Sequence, residues 1–499
     1  MIVKSKTIYN SIVGFGCQFI ILALGFIVPR VVLTHYGSDV NGFTNTMSQI
    51  FSYLALLEAG ITKSTSMELY KYLKDNNKNG ISYTMSASRR YYRKITIIYF
   101  GFVFIVALFA PLVLKTKIPY YTVFLYIIFE GLTSVVTFYS ISLIRTFLRA
   151  NGRAYIVNYV SLLQKILLYG VKIGLSLKGW NIAFIQVGYF IVSLIQLFIY
   201  TNYMKKHYNW IDYNAAPRAA RLPDRYAFLI TEIAYTIFNS TDLIVLSVFV
   251  STALSSVYST YNMIFVAIET LITSVYNSIK YNLGQTFHKD IQEYCKLHDL
   301  YNSFFIGICA ALMCVTYFLL NSFVSLYTRD VTDINYLYHW LPLMFCIVRL
   351  LSRSRSISGN ISGIAGYAKP VSKISLIEAV LNVVLSVILV QKYEIYGVLL
   401  ATVISLPLKV VYVTWLVETK VLGRNGWQSV KIIGINFLLF FIAVILAENI
   451  KLKIYSYKDF FVCGCVLTPV FVVLSYVFNG IANKNVFKLT NKMLKRIRC

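Results

Sequence analysis

Residues 95–114 read ITIIYFGFVFIVALFAPLVL, an apolar run that lies between RRYYRK at 89–94 and KTK at 115–117. As a helix, a run of this length crosses about 30 Å of hydrocarbon. The same pattern recurs along the chain and gives about fourteen candidate spans. They lie near residues 8–33, 43–70, 95–114, 120–144, 155–177, 180–200, 226–250, 254–283, 300–321, 335–358, 371–391, 395–417, 430–447 and 459–478. The loops are too short for a soluble domain, so the sequence predicts an all-α, polytopic membrane protein.

The composition of the 499-residue chain supports this fold class. Apolar residues make up 58% of it, charged residues only 13%, and the mean hydropathy is +0.65, which excludes an ordinary soluble domain. The net charge of +27 would suggest a nucleic-acid partner in a soluble chain, but the placement of the basic residues explains it better. The eight cysteines form no CxxC pair and the five histidines are scattered, so no metal, cofactor or disulfide framework is expected.

Basic residues concentrate in every second loop. With the N-terminus in the cytoplasm, 35 of the 47 Lys and Arg residues fall in inside segments, nine in outside segments and three within spans. This is the bias that orients membrane proteins. It predicts a multi-pass protein with both termini in the cytoplasm and an even number of spans. Twelve spans would keep the same parity.

The chain also contains an internal repeat. Residues 149–175 align without gaps on 363–389, and residues 37–75 align on 251–289 at the same shift of 214 positions. Both copies start on the inside, so they are parallel repeats, an arrangement that places a substrate site between the halves. The predicted segments are a six-helix lobe at 1–213, a second six-helix lobe at 214–428, and two further helices with a basic tail at 429–499.

Polar residues follow one face of span two and one face of span eight at three- and four-residue steps. In span two they are Asn45, Gln49, Ser52, Lys63 and Ser66, and in span eight Ser259, Asn262, Glu269, Thr273, Asn277 and Lys280. Small and polar residues also hold helices together in membranes, so packing is one interpretation. Lys and Glu are costly in lipid and need water or partners, which favours a water-filled cavity lined by both stripes.

Three stretches resemble one known family. GFIVPRVVLTHYGSDVNGFTNTMSQIFSYLALLEAGI at 25–61 resembles the opening of Wzx-type polysaccharide flippases of the multidrug/oligosaccharidyl-lipid/polysaccharide exporter superfamily. NGRAYIVNYVSLLQKI at 151–166 and GYAKPVSKISLIEAV at 366–380 resemble the loops that begin spans five and eleven of those proteins. Together with the span count and the repeat, the resemblance covers nearly the whole chain.

The resemblance implies a MATE-like V shape, with two bundles around a central cavity and two extra C-terminal helices. It implies that the halves alternate between inward-open and outward-open states, and that the protein is not an enzyme. The implied cargo is an oligosaccharide repeat unit linked through diphosphate to a polyprenol, for capsule, exopolysaccharide or cell-wall glycan. The implied location is the bacterial plasma membrane. The implied partners are membrane lipids and the glycan polymerase and glycosyltransferases of the same pathway.

Such a cargo needs a hydrated, cationic path, because sugar hydroxyls and a charged diphosphate lose their water partners in hydrocarbon. Intramembrane ionisable and amide residues are therefore the candidate site. The diphosphate candidates are Arg30, Lys63, Lys280 and Arg349; the sugar candidates are Asn45, Gln49, Asn262 and Asn277; and the candidates for ion coupling are Glu232, Asp242 and Glu269.

Three alternatives remain open at this point. A lipid II-type flippase would share the mechanism and differ in cargo, and a drug/cation antiporter of the same superfamily would share the fold but need an acidic cavity. A membrane glycan polymerase or ligase would need a long external loop with acid and base residues. The sequence has no GxxxxGK[ST] motif, so ion exchange or the membrane potential is the expected energy source.

Overall fold

The computed structural model describes residues 2–215, 225–287, 291–450, 452, 454–483 and 485–487. These residues form helices joined by short connections, and no strand occurs among them. The helices are α1 Ile2–Lys74, α2 Lys78–Val113, α3 Tyr120–Val136, α4 Ser142–Ala150, α5 Ala154–Leu177, α6 Ile182–His207, α7 Arg225–Phe249, α8 Thr252–Phe287, α9 Ile291–Tyr327, α10 Leu341–Ser354, α11 Ser356–Ile364, α12 Ala368–Leu416, α13 Trp427–Asn449 and α14 Tyr457–Ala482.

Two of the long helices are interrupted inside their length. Helix α1 breaks at Gly37, where φ is 80° and only glycine adopts the backbone without strain. Helix α12 breaks at Glu394, where φ is 46°. A π-helical turn at Thr137–Ile141 joins α3 to α4, and another at Val417–Val421 follows α12. With these breaks, helical segments of the described chain overlap every predicted span.

Eight helices among the described residues are long and apolar enough to cross a membrane. Helix α2 illustrates why they are stable there. Val103 and Ala107 are fully buried against the rest of the protein, whereas Ile97, Phe104 and Leu112 are 74%, 47% and 70% exposed. Such a surface is unfavourable in water and favourable against acyl chains. The predicted all-α, polytopic membrane fold is therefore confirmed.

The local geometry repeats at the shift found in the sequence. Helices α4 and α11 have equal length, and each ends at a glycine with positive φ, Gly152 at 71° and Gly366 at 85°. The closing hydrogen bonds also correspond: Arg153 N donates to Leu148 O at 2.8 Å, and Tyr367 N donates to Ser362 O at 2.8 Å. Each pair of matching residues is 214 positions apart.

By its contacts the chain divides into two compact units, Met1–Ser256 and Val257–Cys499. In the first unit α7 packs against α1, and Thr46 Oγ1 lies 2.6 Å from Ser247 Oγ. In the second unit α13 and α14 pack against α9, and Asn436 and Asn479 exchange two hydrogen bonds of 2.9 Å. The lobes predicted at 1–213 and 214–428, with the extra segment 429–499, stay a prediction.

Candidate substrate-binding site

Seven of the eleven candidate site residues have side chains that the structure describes. The side chains of Lys63, Glu232, Asn277 and Lys280 lie outside the described part of the chain. Of the seven, Arg30, Asn45, Gln49 and Asp242 belong to the first unit, and Asn262, Glu269 and Arg349 belong to the second. The structure brings the last three together.

These three residues and Arg353 form one group, which we name the α8–α10 cluster. Arg349 Nη1 lies 3.3 Å from Glu269 Oε1, and its Nη2 donates to Asn262 Oδ1. Arg353 Nη2 lies 2.9 Å from the other carboxylate oxygen, Glu269 Oε2. The carboxylate is thus bound by two guanidinium groups, one on each oxygen.

Helical periodicity places the four side chains in position. Asn262 and Glu269 are seven residues apart on α8, and Arg349 and Arg353 are four apart on α10, so each pair lies on one face. Asn262, Glu269 and Arg349 are predicted from the sequence as site residues, whereas Arg353 is not. The four-residue spacing of the two arginines was the signal for it, because it predicts that both face the same neighbour.

The α8–α10 cluster carries a surplus of positive charge. Two guanidinium groups face one carboxylate, and the side chains of Arg349, Arg353 and Glu269 are only 17%, 19% and 25% exposed. The Nε atoms of both arginines are buried and form no hydrogen bond within the described part of the chain. A buried donor without an acceptor is costly, so the cluster has unused capacity for an anion or ordered water.

An aromatic group beneath the cluster fixes the first arginine. The guanidinium carbon of Arg349 lies 5.8 Å from the centroid of the Phe265 ring, and that ring stacks on Phe345 at 5.3 Å. Tyr261 also stacks on Phe345, and its hydroxyl donates to Asn321 Oδ1 at 3.0 Å. All three rings are almost fully buried. They therefore position the guanidinium by packing and cation–π attraction and offer no face to a sugar.

In the first unit the polar stripe of span two lies beside the contact between α1 and α7. Within that contact Tyr53 Oη of α1 lies 2.6 Å from Thr241 Oγ1 of α7. Asn41 Nδ2 of α1 donates to Ser256 Oγ, at the start of α8, at 2.7 Å. Asn45 and Gln49 are half-buried, and Ser48 and Ser52 beside them are exposed. The α1–α7 contact therefore leaves this stripe partly accessible.

The remaining first-unit candidates lie at different depths of the packing. Asp242 is 8% exposed on α7, next to the Thr241 hydroxyl that contacts Tyr53. Arg30 is half-buried on α1, directly after Pro29 within the helix. Both positions are consistent with groups held inside the unit, and neither is at an exposed helix end.

Two other ionic groups in the second unit hold helices together. Glu378 is 2% exposed and binds Arg355 at 2.5 Å and Lys409 at 3.3 Å. Arg424 Nη1 donates to Asp299 Oδ2 at 2.8 Å, and its Nη2 donates to Glu418 Oε1 at 3.1 Å.

The second of these groups also has the residue types of a metal site. The ligand atoms of His298, Asp299 and Glu418 lie within 4.8 Å of one another. Arg424, however, donates to both carboxylates. Burial by itself lowers the pKa of its guanidinium, but the hydrogen bonds and charges of Asp299 and Glu418 together outweigh burial and raise that pKa. The guanidinium of Arg424 therefore neutralises the carboxylates that a metal ion would need, and we interpret the group as an ion-pair network.

The comparisons with known proteins concern the fold. No protein-family model matches the sequence, and no curated protein matches it. Several solved structures match closely in shape. The structure of "Lipid II flippase MurJ, inward closed conformation" has a TM-score of 0.68 at 15% identity, with 94% of this chain and 99% of that chain covered.

Two further similar structures are those of transporters. An inward-facing multidrug resistance MATE family transporter of the MOP superfamily has a TM-score of 0.62 at 13% identity, covering 88% of this chain and 99% of that chain. A MOP superfamily transporter from Pyrococcus furiosus has a TM-score of 0.58 at 10% identity, covering 84% and 95%. The chain therefore has the fold that the lipid II flippase and the MATE transporters share.

Proposed function

We propose that this protein is a flippase, and not an enzyme, that moves polyprenyl-diphosphate-linked oligosaccharide repeat units from the cytoplasmic to the outer leaflet by alternating access. The α8–α10 cluster is the observation that carries the proposal. It combines two arginines, one carboxylate and an amide in a half-buried position within the second unit.

The chemistry of the cargo fits this cluster. A diphosphate presents several oxygens, and guanidinium groups bind such oxygens in paired, charge-assisted hydrogen bonds. Arg349 and Arg353 supply the fork-shaped donors, and Asn262 supplies an amide for a hydroxyl or a further phosphate oxygen. In the absence of cargo, Glu269 holds both guanidiniums in place. A diphosphate exchanges for this carboxylate, so the binding energy includes the energy needed to break two ion pairs.

The charge balance separates this proposal from a drug/cation antiporter. An antiporter for organic cations needs a net negative site, whereas the α8–α10 cluster has one more cation than anions. Lys63 and Lys280, which we also propose for the diphosphate, add positive charge. The proposed sugar-binding residues are Asn45, Gln49, Asn262 and Asn277, and Arg30 completes the cationic path.

The energy source in this proposal is either ion exchange or the membrane potential. Proton or sodium exchange would involve Glu232, Asp242 or Glu269. The membrane potential alone favours outward movement of an anionic cargo. The proposed location is the bacterial plasma membrane with both termini in the cytoplasm, next to the glycosyltransferases and the glycan polymerase of the pathway. The pathway product would be capsule, exopolysaccharide or cell-wall glycan.

A lipid II-type cargo is the second candidate. The fold similarity to a lipid II flippase, with a TM-score of 0.68, supports it. Both cargoes carry a polyprenyl diphosphate and differ in the sugar and peptide attached to it. The α8–α10 cluster is expected to bind the part that they share.

Proteoliposomes test both candidates. One preparation contains a fluorescent polyprenyl diphosphate with a short glycan in both leaflets, and a second contains labelled lipid II. The fraction of each substrate that an external quencher or enzyme can reach reports flipping. We expect the double variant Arg349→Gln/Arg353→Gln to lower the rate at least tenfold. The matched control Lys369→Gln/Lys373→Gln removes two exposed cations and should leave the rate unchanged.

The arginine variants also separate charge from geometry. Arg349→Lys/Arg353→Lys keeps both charges but loses the paired donors, so partial activity is expected. Equal activity of wild type and the double Gln variant would refute the cluster as the diphosphate site. Flipping of lipid II but not of glycan-linked substrates would select the second candidate.

A further inference from the structure

A cavity of about 510 Å³ lies wholly within the first unit. It is bounded by α2, by the π-helical turn between α3 and α4, by the end of α6 and by the segment 208–213 that follows α6. None of its lining residues belongs to the proposed cargo site. Its volume is within the range of ordinary small-molecule and lipid pockets. We name it the α2–α6 cavity.

The walls of the α2–α6 cavity are mainly apolar. Leu143, Ile144, Met204 and Ile211 line it, and each is at most 6% exposed to the outside. They belong to one hydrophobic cluster, so the wall is part of the packed interior of the unit. An apolar wall of this kind suits an acyl chain and does not suit a sugar or a nucleotide.

The polar part of the cavity is cationic. Arg89 and Lys205 line it, and neither forms an ion pair with a carboxylate in the described residues. The guanidinium carbon of Arg89 lies 5.2 Å from the centroid of the Tyr213 ring, and that of Arg93 lies 5.4 Å from Tyr139. Tyr139 and Tyr213 line the cavity as well. The Tyr213 ring therefore holds Arg89 at the polar part of the cavity without neutralising its charge.

The cavity is preformed at its loop side. Tyr208 accepts a hydrogen bond from Asn151 Nδ2 at 2.8 Å and packs edge-to-face on Phe147 at 4.9 Å. Arg153 lies 5.4 Å from the same ring. On the opposite side, Tyr139 and Ser140 are presented by the π-helical turn, a feature that is frequent at functional sites. A preformed site loses little conformational entropy when a ligand binds.

We propose that the α2–α6 cavity binds an anionic membrane phospholipid, with an acyl chain along Leu143 and Ile144 and the phosphate at Arg89 and Lys205. Charge complementarity favours this occupant over a zwitterionic lipid, because two uncompensated cations are offered to the headgroup. The site lies among the segments where basic residues concentrate, and Tyr139 is 40% exposed at its edge. The inference does not depend on the proposed cargo, because it concerns the first unit alone.

Trp210 provides a local probe for the test. Its ring centroid lies 6.4 Å from that of Tyr208, which lines the cavity. The full-length chain with its other four tryptophans changed to Phe is titrated in mixed micelles with phosphatidylglycerol that carries a brominated acyl chain. Quenching of Trp210 reports the bromine in the cavity. We expect half-maximal quenching at a mole fraction at least fivefold lower than with the matching brominated phosphatidylcholine.

Three variants decide the result. Arg89→Gln/Lys205→Gln should remove the preference for phosphatidylglycerol, because it removes both cations that attract the anionic headgroup. Arg90→Gln/Lys206→Gln removes two exposed neighbours that do not line the cavity and should keep the preference. Thr201→Phe fills the cavity from α6 and should reduce quenching by both lipids.

Each contrary result overturns the proposal. If the two brominated lipids quench the wild-type protein equally, the cavity does not recognise the headgroup. If Thr201→Phe is still fully quenched, the acyl chain does not lie in the cavity. Circular dichroism checks that each variant folds, and Arg89→Lys/Lys205→Arg serves as a charge-preserving variant that should keep the preference. If the single-tryptophan chain does not fold, retention of phosphatidylglycerol over phosphatidylcholine in native mass spectrometry gives the same comparison with the native tryptophans.

Discussion

Arg353 Nη2 on α10 lies 2.9 Å from Glu269 Oε2 on α8, and this contact leaves the other carboxylate oxygen to Arg349. One carboxylate therefore organises two cations that come from a different helix. The arrangement has a direct consequence for binding. Removing an arginine removes a donor for an anion, whereas removing the carboxylate removes the competitor of that anion.

Glu269→Gln is expected to increase affinity for a diphosphate. The amide keeps the shape of the side chain but no longer neutralises the two guanidiniums, so an anion gains more when it binds. Farnesyl diphosphate should bind about tenfold more tightly, which corresponds to about 1.4 kcal/mol. Isothermal titration in detergent measures this. Glu293→Gln, at an exposed position on α9, is the matched control, and equal affinities for the two variants would contradict the prediction.

The same substitution separates the two energy sources. If Glu269 exchanges a proton during transport, Glu269→Gln should flatten the dependence of flipping on the pH gradient across the proteoliposome membrane. If the membrane potential drives transport, both the wild type and the variant should respond to a potassium–valinomycin potential and be insensitive to the pH gradient. The initial rate at two imposed gradients distinguishes the outcomes. If the wild type responds to neither the pH gradient nor the membrane potential, both proposed energy sources are wrong.

Glu378→Gln should destabilise the second unit by about 3–5 kcal/mol, because it leaves Arg355 and Lys409 without their buried counter-charge. The repeat supplies a control. Gln164, 214 positions earlier, accepts from Arg145 at 3.3 Å and from Gln196 at 2.8 Å, so Gln164→Leu loses only hydrogen bonds and should cost about 1–2 kcal/mol. Unfolding in mixed micelles, followed by circular dichroism, measures both. Equal losses would show that the ion pairs add nothing.

Asn436 and Asn479 should show a coupled effect on the packing of α13 against α14. Their two amide hydrogen bonds are buried, and Gly307 of α9 lies against Asn479. Either single change to Leu leaves the Oδ1 and one N–H of the partner amide without a partner and should cost about 1 kcal/mol, and the double variant should cost less than the sum. The same unfolding measurement on the four proteins gives the coupling. Additive losses would mean that the pair does not act as a unit.

The helices could be predicted because their signals are local. Apolar runs and basic loops give the spans, and the repeat is visible as a constant shift between segments such as 149–175 and 363–389. The exact ends of the helices depend less on local sequence signals. Predicted span ten began at residue 335, but α10 begins at Leu341 beside Pro342, because proline is favoured in the first helical turn. The break in α12 at Glu394, where φ is positive, is not indicated by the residue type, because glutamate rarely adopts a positive φ.

The α8–α10 cluster was predictable only in part. Asn262 and Glu269 were visible as a polar stripe in an apolar helix, and Arg349 was visible as a charge within a span. Arg353 belonged to a basic segment that the sequence explains by membrane orientation alone. Its partner Glu269 lies 84 positions away, and a pairing over that distance depends on how α8 and α10 pack. Local periodicity does not contain that information.

The glycines that close α4 and α11 should be equally sensitive to substitution. Gly152 and Gly366 have φ of 71° and 85°, and a Cβ at either position would meet nothing within 4 Å. Gly152→Ala and Gly366→Ala should therefore each cost about 1–2 kcal/mol from backbone strain alone. Gly170→Ala, inside α5 with equally open space, should be neutral or slightly stabilising, since alanine favours a helix. Thermal unfolding in detergent compares the three. If one of the two positive-φ substitutions is neutral and the other is strongly destabilising, the two repeats share the backbone geometry but not its contribution to stability.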